Sequence, residues 1–497
     1  MSKIQLVVLL CLFGYTLNAQ EEITTTLKTT KSSVFKDKTK VGSIKAMHTT
    51  ATGKTGIIRF GRKSILVDVF NEDLGKEHTQ LIDKERRERY KGHLNLDNKI
   101  YLFTTFSPEL RERELFCYVI DLEKNTHRKN KLFHIDVKNA AAIYEDKNKA
   151  EASFSVSENQ KYIAVATFHT KEDNNSYLMH VFEAETLSLV YETVYDAGEK
   201  NNYFLANDIL ITNDADVYVL TKQFLTGKFE KDKGNPNYDF VVHKISKNET
   251  KETVVSLENQ YIRSLVLSNK KGKLHLIGFY SEKNAGRIKG GCDFSINIED
   301  FTIASKKTVT LPQQVFNDLY GEKAEKLKEK EYELRNFEIN YILDDAKGNT
   351  YLLAEEFYSS YTQTPAFPMG TVEEHYDDIL ILKFNAQGDL EWGRGIYKKA
   401  SNPSYNAFIK NDELHVILNS GKYLKELDDG RYYMSADLFE SSALYDIVYT
   451  YDGKASYTKI QNNRGKTQFT PFYGTFTNNV FIMANSRKNK KQFLKLE

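Results

Sequence analysis

The feature that most constrains this chain is a turn-and-strand pattern that recurs seven times along its 497 residues. Each copy is a cluster of turn-forming or charged residues followed by an apolar strand whose second position is usually aromatic or His. Successive anchor residues are 56 to 76 positions apart, and self-similarity of this kind indicates a repeat architecture. The seven anchors are Tyr101, Tyr162, Tyr218, His275, Tyr351, His415 and Phe481.

The copy around Tyr351 shows the content of one repeat most clearly. Four apolar segments alternate there with turn residues, at 339–343, 351–354, 379–384 and 390–392. Tight turns of Asn, Asp and Gly connect the first segment to the second and the third to the fourth, as in β-hairpins. Four short antiparallel strands per repeat predict an all-β fold, a β-propeller whose blades surround a central axis.

The number of anchors predicts seven blades. The last copy ends with a third strand at 492–496, whereas the N-terminal region has apolar runs without an anchor at 56–60, 64–70 and 77–82. We expect one of these runs to complete the last blade, because closure by N- and C-terminal strands removes an exposed sheet edge. The alternative is an eight-bladed ring, in which these runs form a blade of their own. Either count predicts a single propeller domain over residues 54–497.

The first residues predict export from the cell. Residues 1–19 have one Lys near the start, an apolar run of about ten residues and an ending in Asn18-Ala19, which together are typical of a cleaved signal peptide. That run is shorter than the roughly 20 residues needed to span a bilayer, and no later segment is long and apolar enough to do so. Residues 20–53 are interpreted as a polar linker. The predicted location is secreted, periplasmic or cell-surface.

Charge and cysteine content exclude some classes of protein. The chain has 69 Lys and Arg against 68 Asp and Glu, whereas nucleic-acid-binding proteins need a surplus of basic residues. Two cysteines follow the signal peptide, Cys117 and Cys292, and they fall in repeats that a ring places far apart. Because the Cα atoms of a disulfide lie within about 7 Å of each other, we expect two free, buried thiols. We also expect a monomer.

Loop lengths distinguish the two rims of the predicted ring. In antiparallel blades, the turn between strands two and three lies on the same rim as the connection to the next blade. Most long insertions fall on this rim, and loops on a rigid scaffold are common binding sites. One of them predicts a helix near 314–335, with an apolar stripe that includes Phe316 and Leu319. The insertions are 223–238, 281–291, 312–336, 357–377 and 419–442.

These insertions supply the candidate ligand-binding residues, which are mainly aromatic and basic. Aromatic and Arg side chains are enriched at binding hot spots, so one interpretation is a ligand-facing surface. The other is that the aromatic residues only fasten the loops to one another. The candidates are Phe224, Phe229, Arg287, Lys289, Tyr358, Tyr361, Phe367, His375, Tyr376, Tyr423, Arg431, Tyr432 and Tyr433.

Motifs for established chemistries are missing from the sequence. It contains no Gly-rich phosphate loop, nucleophile elbow or paired-His zinc helix, and no metal or cofactor is expected. His275 and His415 occupy anchor positions, so we expect packed core histidines. Carboxylate doublets in or next to the long loops leave a glycan-degrading hydrolase or lyase open, since glycoside hydrolysis needs two suitably spaced carboxylates. They are Glu355-Glu356, Glu373-Glu374, Asp377-Asp378 and Asp428-Asp429.

About a third of the chain, within 276–416, resembles uncharacterised secreted propeller-like proteins of Bacteroidetes. The ending Asn18-Ala19-Gln20 is similar to signal-peptide cleavage sites common in that phylum. The resemblance implies an exported propeller and no catalytic residues. It rests on GFYS at 278–281, IKGG at 288–291, YLLAEEFY at 351–358, YDDILI at 376–381 and GDLEW at 388–392.

These observations favour a secreted, non-enzymatic propeller that binds a glycan, a peptide or an envelope protein through the long loops of one rim. A glycan-degrading enzyme that uses loop carboxylates is one alternative. A structural component of the cell envelope is another.

Overall fold

The computed structural model describes most of the chain from residue 27 onward. The described ranges are 27–36, 42–109, 112–136, 153–171, 174–196, 204–227, 229–270, 273–364, 367–398, 403–421, 425–426, 432–433, 442–485 and 490–497. The proposed signal peptide at 1–19 lies outside them.

The described residues form eight four-stranded antiparallel sheets, which are the blades of a β-propeller. Within each blade the strands are numbered one to four from the inner edge of the ring to the outer edge. Blade 1 consists of Ser43–Thr49, Thr55–Phe60, Ser64–Phe70 and Lys76–Asp83, and blade 2 of Arg89–Leu96, Lys99–Phe106, Glu112–Asp121 and Thr126–Asp136. Blade 3 consists of Ser153–Val156, Tyr162–Lys171, Asn174–Glu183 and Leu189–Asp196, and blade 4 of Phe204–Ile211, Val217–Phe224, Tyr238–Ile245 and Thr250–Val255.

Blade 8 differs from the others because its fourth strand comes from the N-terminal part of the chain. Blade 5 consists of Tyr261–Lys270, Lys273–Ser281, Gly290–Asn297 and Thr302–Thr310, and blade 6 of Phe337–Asp344, Thr350–Thr364, Phe367–Phe384 and Leu390–Ile396. Blade 7 consists of Tyr405–Lys410, Glu413–Gly421, Ser442–Tyr449 and Ala455–Asn462, and blade 8 of Phe469–Thr477, Val480–Asn485, Phe493–Leu496 and Thr29–Lys31.

The apolar core lies between neighbouring blades. Second and third strands are buried on both faces, whereas fourth strands such as Thr302–Thr310 alternate between exposed and half-buried residues. Eight clusters of buried apolar side chains each join two neighbouring blades, and the cluster that joins blade 8 to blade 1 closes the ring. Burial of apolar area between the blades, rather than within one central core, is the main favourable term that holds the ring together.

The closure of the ring combines strand pairing with packing. Thr29–Lys31 pairs antiparallel with the third strand of blade 8, in the register Thr30 opposite Lys495. The rings of Phe70 in blade 1 and Phe493 in blade 8 meet edge to face with centroids 5.3 Å apart. Pairing with Thr29–Lys31 covers a sheet edge that would otherwise be exposed.

The prediction of seven blades is wrong, and the alternative of eight is confirmed. All seven anchors lie in second strands, those of blades 2 to 8. The three N-terminal runs do not complete the last blade. Together with Ser43–Thr49 they form blade 1, and Thr29–Lys31, within the stretch interpreted as a linker, is the strand that completes blade 8.

Blade 1 does not show as an eighth copy of the repeat because its anchor position holds Gly56. The turn before it has the same backbone hydrogen bonds as the turns that precede Tyr218 and Tyr351. A Cβ atom on Gly56 would lie 2.3 Å from the side chain of Leu122, which is fully buried. Leu122 comes from the turn between strands three and four of blade 2, so the neighbouring blade fills the space that an aromatic anchor takes elsewhere.

Both expectations about the core cysteines and histidines are met. Cys117 and Cys292 are free and buried in third strands of blades 2 and 5, and burial raises the pKa of both thiols. His275 and His415 are buried, and each contacts a buried aspartate through Nδ1, at 3.0 and 2.9 Å respectively. The described part of the chain has no helix with the length and apolar character needed to span a membrane.

We predict that closure depends on the backbone pairing of Thr30. Lys28 and Glu497 exchange both backbone hydrogen bonds, and antiparallel alternation therefore directs the N–H of Thr30 toward blade 8 and that of Thr29 toward solvent. Thr30→Pro should lower the free energy of unfolding by about 1 to 3 kcal/mol, because proline removes that donor. Thr29→Pro should change it by less than about 0.5 kcal/mol. Equal effects in urea titrations would contradict this pairing.

Candidate functional site

The long insertions emerge from one rim of the ring, on four consecutive blades. They lie between strands two and three of blades 4 to 7, and the connection between blades 5 and 6 lies on the same rim. We call this face the long-loop rim. On the opposite rim, the described turns within blades are short, for example 50–54, 122–125 and 298–301.

The helix expected near 314–335 is shorter in the structure. Helix α1 spans Gln313–Tyr320, a single 3₁₀ turn follows, and helix α2 spans Ala324–Glu329. The break comes at Gly321, whose φ of 54° suits glycine. The apolar stripe of α1 packs between blades 5 and 6, and Asp318 accepts hydrogen bonds from the Arg394 guanidinium of blade 6 at 2.6 and 3.3 Å.

The blade 5 insertion is joined to this helical connection. Arg287–Ile288 pairs with Leu334–Arg335 in a short antiparallel ladder. Glu333 is buried, and its carboxylate accepts hydrogen bonds from the hydroxyl of Ser281 at 2.7 Å and from the backbone N–H of Glu282 at 3.0 Å. Two long loops therefore hold each other in place.

The blade 4 insertion is fixed by Lys222 and Asn237. The Lys222 ammonium pairs with Glu230 and lies 3.6 Å from the centroid of the Tyr238 ring. The buried Asn237 side-chain amide donates to the backbone oxygen of Phe229 at 2.8 Å. Phe229 itself is 76% exposed, so its ring projects from an ordered loop.

In blade 6, strands two and three extend beyond the sheet as a long hairpin. Tyr358 and His375 lie opposite each other and stack with centroids 4.6 Å apart. The Tyr358 hydroxyl donates to Asp377 at 2.8 Å, and Ser360 Oγ lies 2.7 Å from Nε2 of His375. Cross-strand contacts of this kind stabilise the hairpin.

A buried group of charges lies at the base of this hairpin. Lys398 Nζ donates to Glu355 at 2.7 Å and to the backbone oxygen of Tyr376 at 2.6 Å, and both charged side chains are buried. Burial raises the pKa of Glu355 and lowers that of Lys398, because each loses hydration as an ion. Burial, together with the negative charge of Glu356, raises the pKa of Asp378 well above its usual value.

The structure separates the predicted site residues into distinct environments. Phe224 is buried against Tyr238, and Arg287 and Lys289 lie in the blade 5 insertion, where Lys289 pairs with Glu282 at 3.2 Å. Tyr358, His375 and Tyr376 are half-buried in the blade 6 hairpin, which also contains Tyr361 and Phe367. Tyr432–Tyr433 forms a short strand opposite Lys425–Glu426. Tyr423 and Arg431 lie outside the described residues.

Sequence reasoning missed Lys222, Asn237, Glu333 and Lys398, which hold the loops. Of these four residues, only Lys222 could have been noticed in the sequence, because it is a lysine near the end of the apolar strand Val217–Phe224. The partners of the others are set by contacts between distant segments. Within the described ranges, no group of three or more His, Cys, Asp or Glu side chains is arranged to hold a metal ion.

Comparisons with known proteins gave no family match and several solved structures of low similarity. No family model matches the chain, and no curated protein sequence matches it. Among solved structures, it is similar to the β-propeller domain of the Trilobed protease from Pyrococcus furiosus, with 10% identity, 85% of this chain and 99% of that chain covered, and a TM-score of 0.38.

It is also similar to oligogalacturonate lyase from Vibrio parahaemolyticus, with 7% identity, 95% and 97% of the two chains covered, and a TM-score of 0.39. A third structure is prolyl oligopeptidase B from Galerina marginata, with 6% identity and a TM-score of 0.42. There the match covers 90% of this chain and 55% of the peptidase. The sheets and loops of this chain themselves define its class, which is a β-propeller with long loops on one face.

We predict that Lys398→Met destabilises the protein in a pH-dependent way. Removing one partner of a buried ion pair typically lowers the free energy of unfolding by about 3 to 5 kcal/mol. Since the pKa of Glu355 is raised, its unpaired carboxyl takes up a proton as the pH falls. The variant should therefore lose less unfolding free energy, relative to the parent, at pH 5 than at pH 8. Urea titrations of variant and parent at pH 8 and pH 5 measure this difference.

The matched control is Lys454→Met, since Lys454 pairs with Asp452 on the exposed surface. It should change the free energy of unfolding by less than about 0.5 kcal/mol at either pH. A loss for Lys398→Met that is equal at pH 8 and pH 5 would contradict the assigned role of Glu355.

Proposed function

We propose that this chain is an exported, non-enzymatic β-propeller that binds a glycan, peptide or protein partner through the long-loop rim. The observation that carries the proposal is the asymmetry of the ring: blades 4 to 7 all carry long insertions on the same face. If the insertions only filled space, they would have no reason to favour one face. A binding surface would explain why they cluster.

The bracing of these loops also supports binding. Buried charged or polar side chains at Lys222, Asn237, Glu333 and Lys398 each hold an insertion to a neighbouring segment. Burial of charged groups is unfavourable unless they are paired, so these contacts favour the conformations seen. Ordered loops lose less conformational entropy when a ligand binds, which raises the affinity for a given contact area.

The exposed residues of the blade 4 insertion offer an apolar contact surface. Phe229 and Leu225 are 76% and 58% exposed. Phe224, by contrast, is buried and supports the loop-fastening interpretation for that residue. We therefore assign ligand contact in blade 4 to Leu225 and Phe229, and we retain the hairpin aromatics of blade 6 and the Tyr432–Tyr433 strand as further contact candidates.

A glycan-degrading enzyme is the second candidate, and one observation favours it. The raised pKa of Asp378 describes a carboxyl that stays protonated to higher pH, as a general acid requires. However, Asp378 is buried at the base of the hairpin and accepts a hydrogen bond from the backbone N–H of Lys398 at 3.1 Å. A general acid must reach its substrate, so binding remains the better-supported function.

The test begins with a ligand found by thermal shift among purified polysaccharides and envelope-protein fractions, because a ligand of the folded state raises its apparent stability. The double variant Leu225→Ala/Phe229→Ala should weaken that ligand at least tenfold without changing the unfolding temperature. Tyr432→Ala/Tyr433→Ala should weaken it as well. Isothermal titration calorimetry measures both effects.

Leu189→Ala and Ile298→Ala are the controls, since both residues are exposed near the turns of the opposite rim. They should leave the affinity unchanged. If these controls weaken binding as much as the rim variants do, the proposed face is wrong. If Glu373→Gln or Asp428→Asn abolishes product formation from a polysaccharide while binding persists, the protein is an enzyme.

A further inference from the structure

Basic residues are concentrated on the long-loop rim at the junction of blades 1 and 2. Two segments meet there. One is the turn between strands two and three of blade 1, at 61–63, and the other is 83–91, which leads from the last strand of blade 1 into the first strand of blade 2. Together they contain seven Arg and Lys residues against three Asp and Glu, in a chain whose total charge is only +1. The junction is therefore a positive region on a neutral protein.

Lys84 joins the two segments. Its ammonium group donates to the backbone oxygen of Arg62 at 3.1 Å and to that of Glu88 at 2.9 Å. Its backbone N–H donates to the backbone oxygen of Lys63 at 3.0 Å. Basic residues that lie more than twenty positions apart in the sequence are thus held side by side.

Glu88, which lies within the second segment, does not neutralise this region. It is buried, and its carboxylate accepts hydrogen bonds from the hydroxyl groups of Thr104 and Tyr118 and from the Lys129 ammonium, the last at 3.0 Å. All three donors belong to blade 2, and Lys129 compensates the charge of Glu88 from there. Glu88 therefore anchors the connection from inside the blade and leaves the surface cations as they are.

Four basic side chains of the two segments are fully on the surface. All four are exposed, and among the described residues none of them has a carboxylate partner. A guanidinium group can donate two parallel hydrogen bonds to the oxygens of a carboxylate or of a tetrahedral oxyanion. We call these four residues the basic patch, and they are Arg62, Lys63, Arg86 and Arg87.

The junction offers a partner charge and little apolar contact. The half-buried rings of Phe60 and Tyr90 are covered by the ammonium groups of Lys84 and Lys45, which lie 4.5 and 5.2 Å from the ring centroids. A backbone hydrogen bond of 2.9 Å closes the turn at 61–64. Peptides are commonly held in apolar pockets or by pairing with a strand edge, and the described residues of these two turns form neither.

Building on the proposed binding function, we propose that the basic patch binds an acidic polysaccharide, one whose sugar units carry carboxylate or sulfate groups. Such a polymer repeats its charges along the chain and needs no apolar pocket. Attraction between exposed charges acts over only about 8 to 10 Å at physiological salt. A neutral protein can therefore attract a polyanion only where its cations are clustered. The proposal selects a glycan from the ligand classes considered above.

The basic patch and the long insertions share one rim but lie on different sides of the ring. In a ring of eight blades, the junction of blades 1 and 2 is four blades away from the junction of blades 5 and 6, where the helical connection lies. A polymer held by the basic patch can extend across the rim toward the insertions. The basic patch would supply charge attraction, and exposed residues such as Phe229 would supply apolar contact.

The experiment uses the full chain with polygalacturonate and dextran sulfate as acidic probes and dextran as the neutral polymer. Isothermal titration calorimetry in 50 mM NaCl should show binding of at least one acidic probe and at least tenfold weaker binding of dextran. Raising NaCl to 300 mM should weaken the acidic probe, because salt screens exposed charges. Arg62→Gln/Arg86→Gln/Arg87→Gln should weaken it at least tenfold without changing the unfolding temperature.

The matched control is Lys124→Gln/Lys161→Gln/Lys247→Gln, which removes three exposed positive charges from turns of the opposite rim. It should change the affinity less than twofold. An equal loss for this control, or no binding of either acidic probe to the parent, would overturn the basic patch as a site. Tighter binding of polyglutamate or of duplex DNA than of both acidic probes would overturn the assignment to a polysaccharide.

The basic patch and the proposed function fail separately. A rim ligand that is weakened by Leu225→Ala/Phe229→Ala and unaffected by the triple arginine variant would contradict the basic patch and leave the proposed function intact. Polyanion binding that depends on the three arginines, combined with a thermal-shift ligand that the Leu225 and Phe229 variants do not weaken, would contradict binding through the insertions and leave the basic patch intact.

Discussion

The structure depends on one short piece of strand pairing, between Thr29–Lys31 and the C-terminal strand Phe493–Leu496. Each blade packs on its two neighbours, and the apolar clusters between blades form a closed series only if blade 8 also packs on blade 1. The N-terminal strand completes the sheet that makes this contact. Closure therefore combines covering a sheet edge with the burial of the eighth interface.

A closed ring of antiparallel blades has two faces with different freedom to vary. Turns within hairpins stay short where successive strands are tightly paired, and such turns form the opposite rim. Loops on the other rim can lengthen without disturbing the clusters between blades. In this chain the lengthened loops are held by hydrogen bonds to one another, such as those that Glu333 accepts from Ser281 and Glu282. The result is a closed ring in which the described loops of blades 4 to 6 are braced on one face.

Regular features of the fold could be predicted from the sequence because they follow from local patterns. The anchors at Tyr218 and Tyr351, the hairpin turns and the apolar stripe of α1 all follow from periodicity. Blade 1 was predicted only in the eight-bladed alternative, because Gly56 replaces the aromatic anchor and Leu122, from another blade, fills the space. A single-sequence pattern does not record such compensation between segments.

The candidate site was predictable only in its position on the ring. Loop lengths indicated the rim, but the pairing of Lys398 with Glu355 joins residues 43 positions apart, and no spacing rule predicts it. Aromatic character alone does not distinguish Phe224, which is buried, from Phe229, which is exposed.

Binding through the long-loop rim is tested most directly by hydrogen–deuterium exchange of the full chain. Exchange is measured with and without the polysaccharide, peptide or protein that gives the largest thermal shift. We expect slower exchange in 225–237, 282–289 and the blade 6 hairpin when the ligand is bound. Turns on the opposite rim, at 50–54, 122–125 and 298–301, should be unchanged. Protection confined to those opposite turns would contradict the assignment of binding to the long-loop rim.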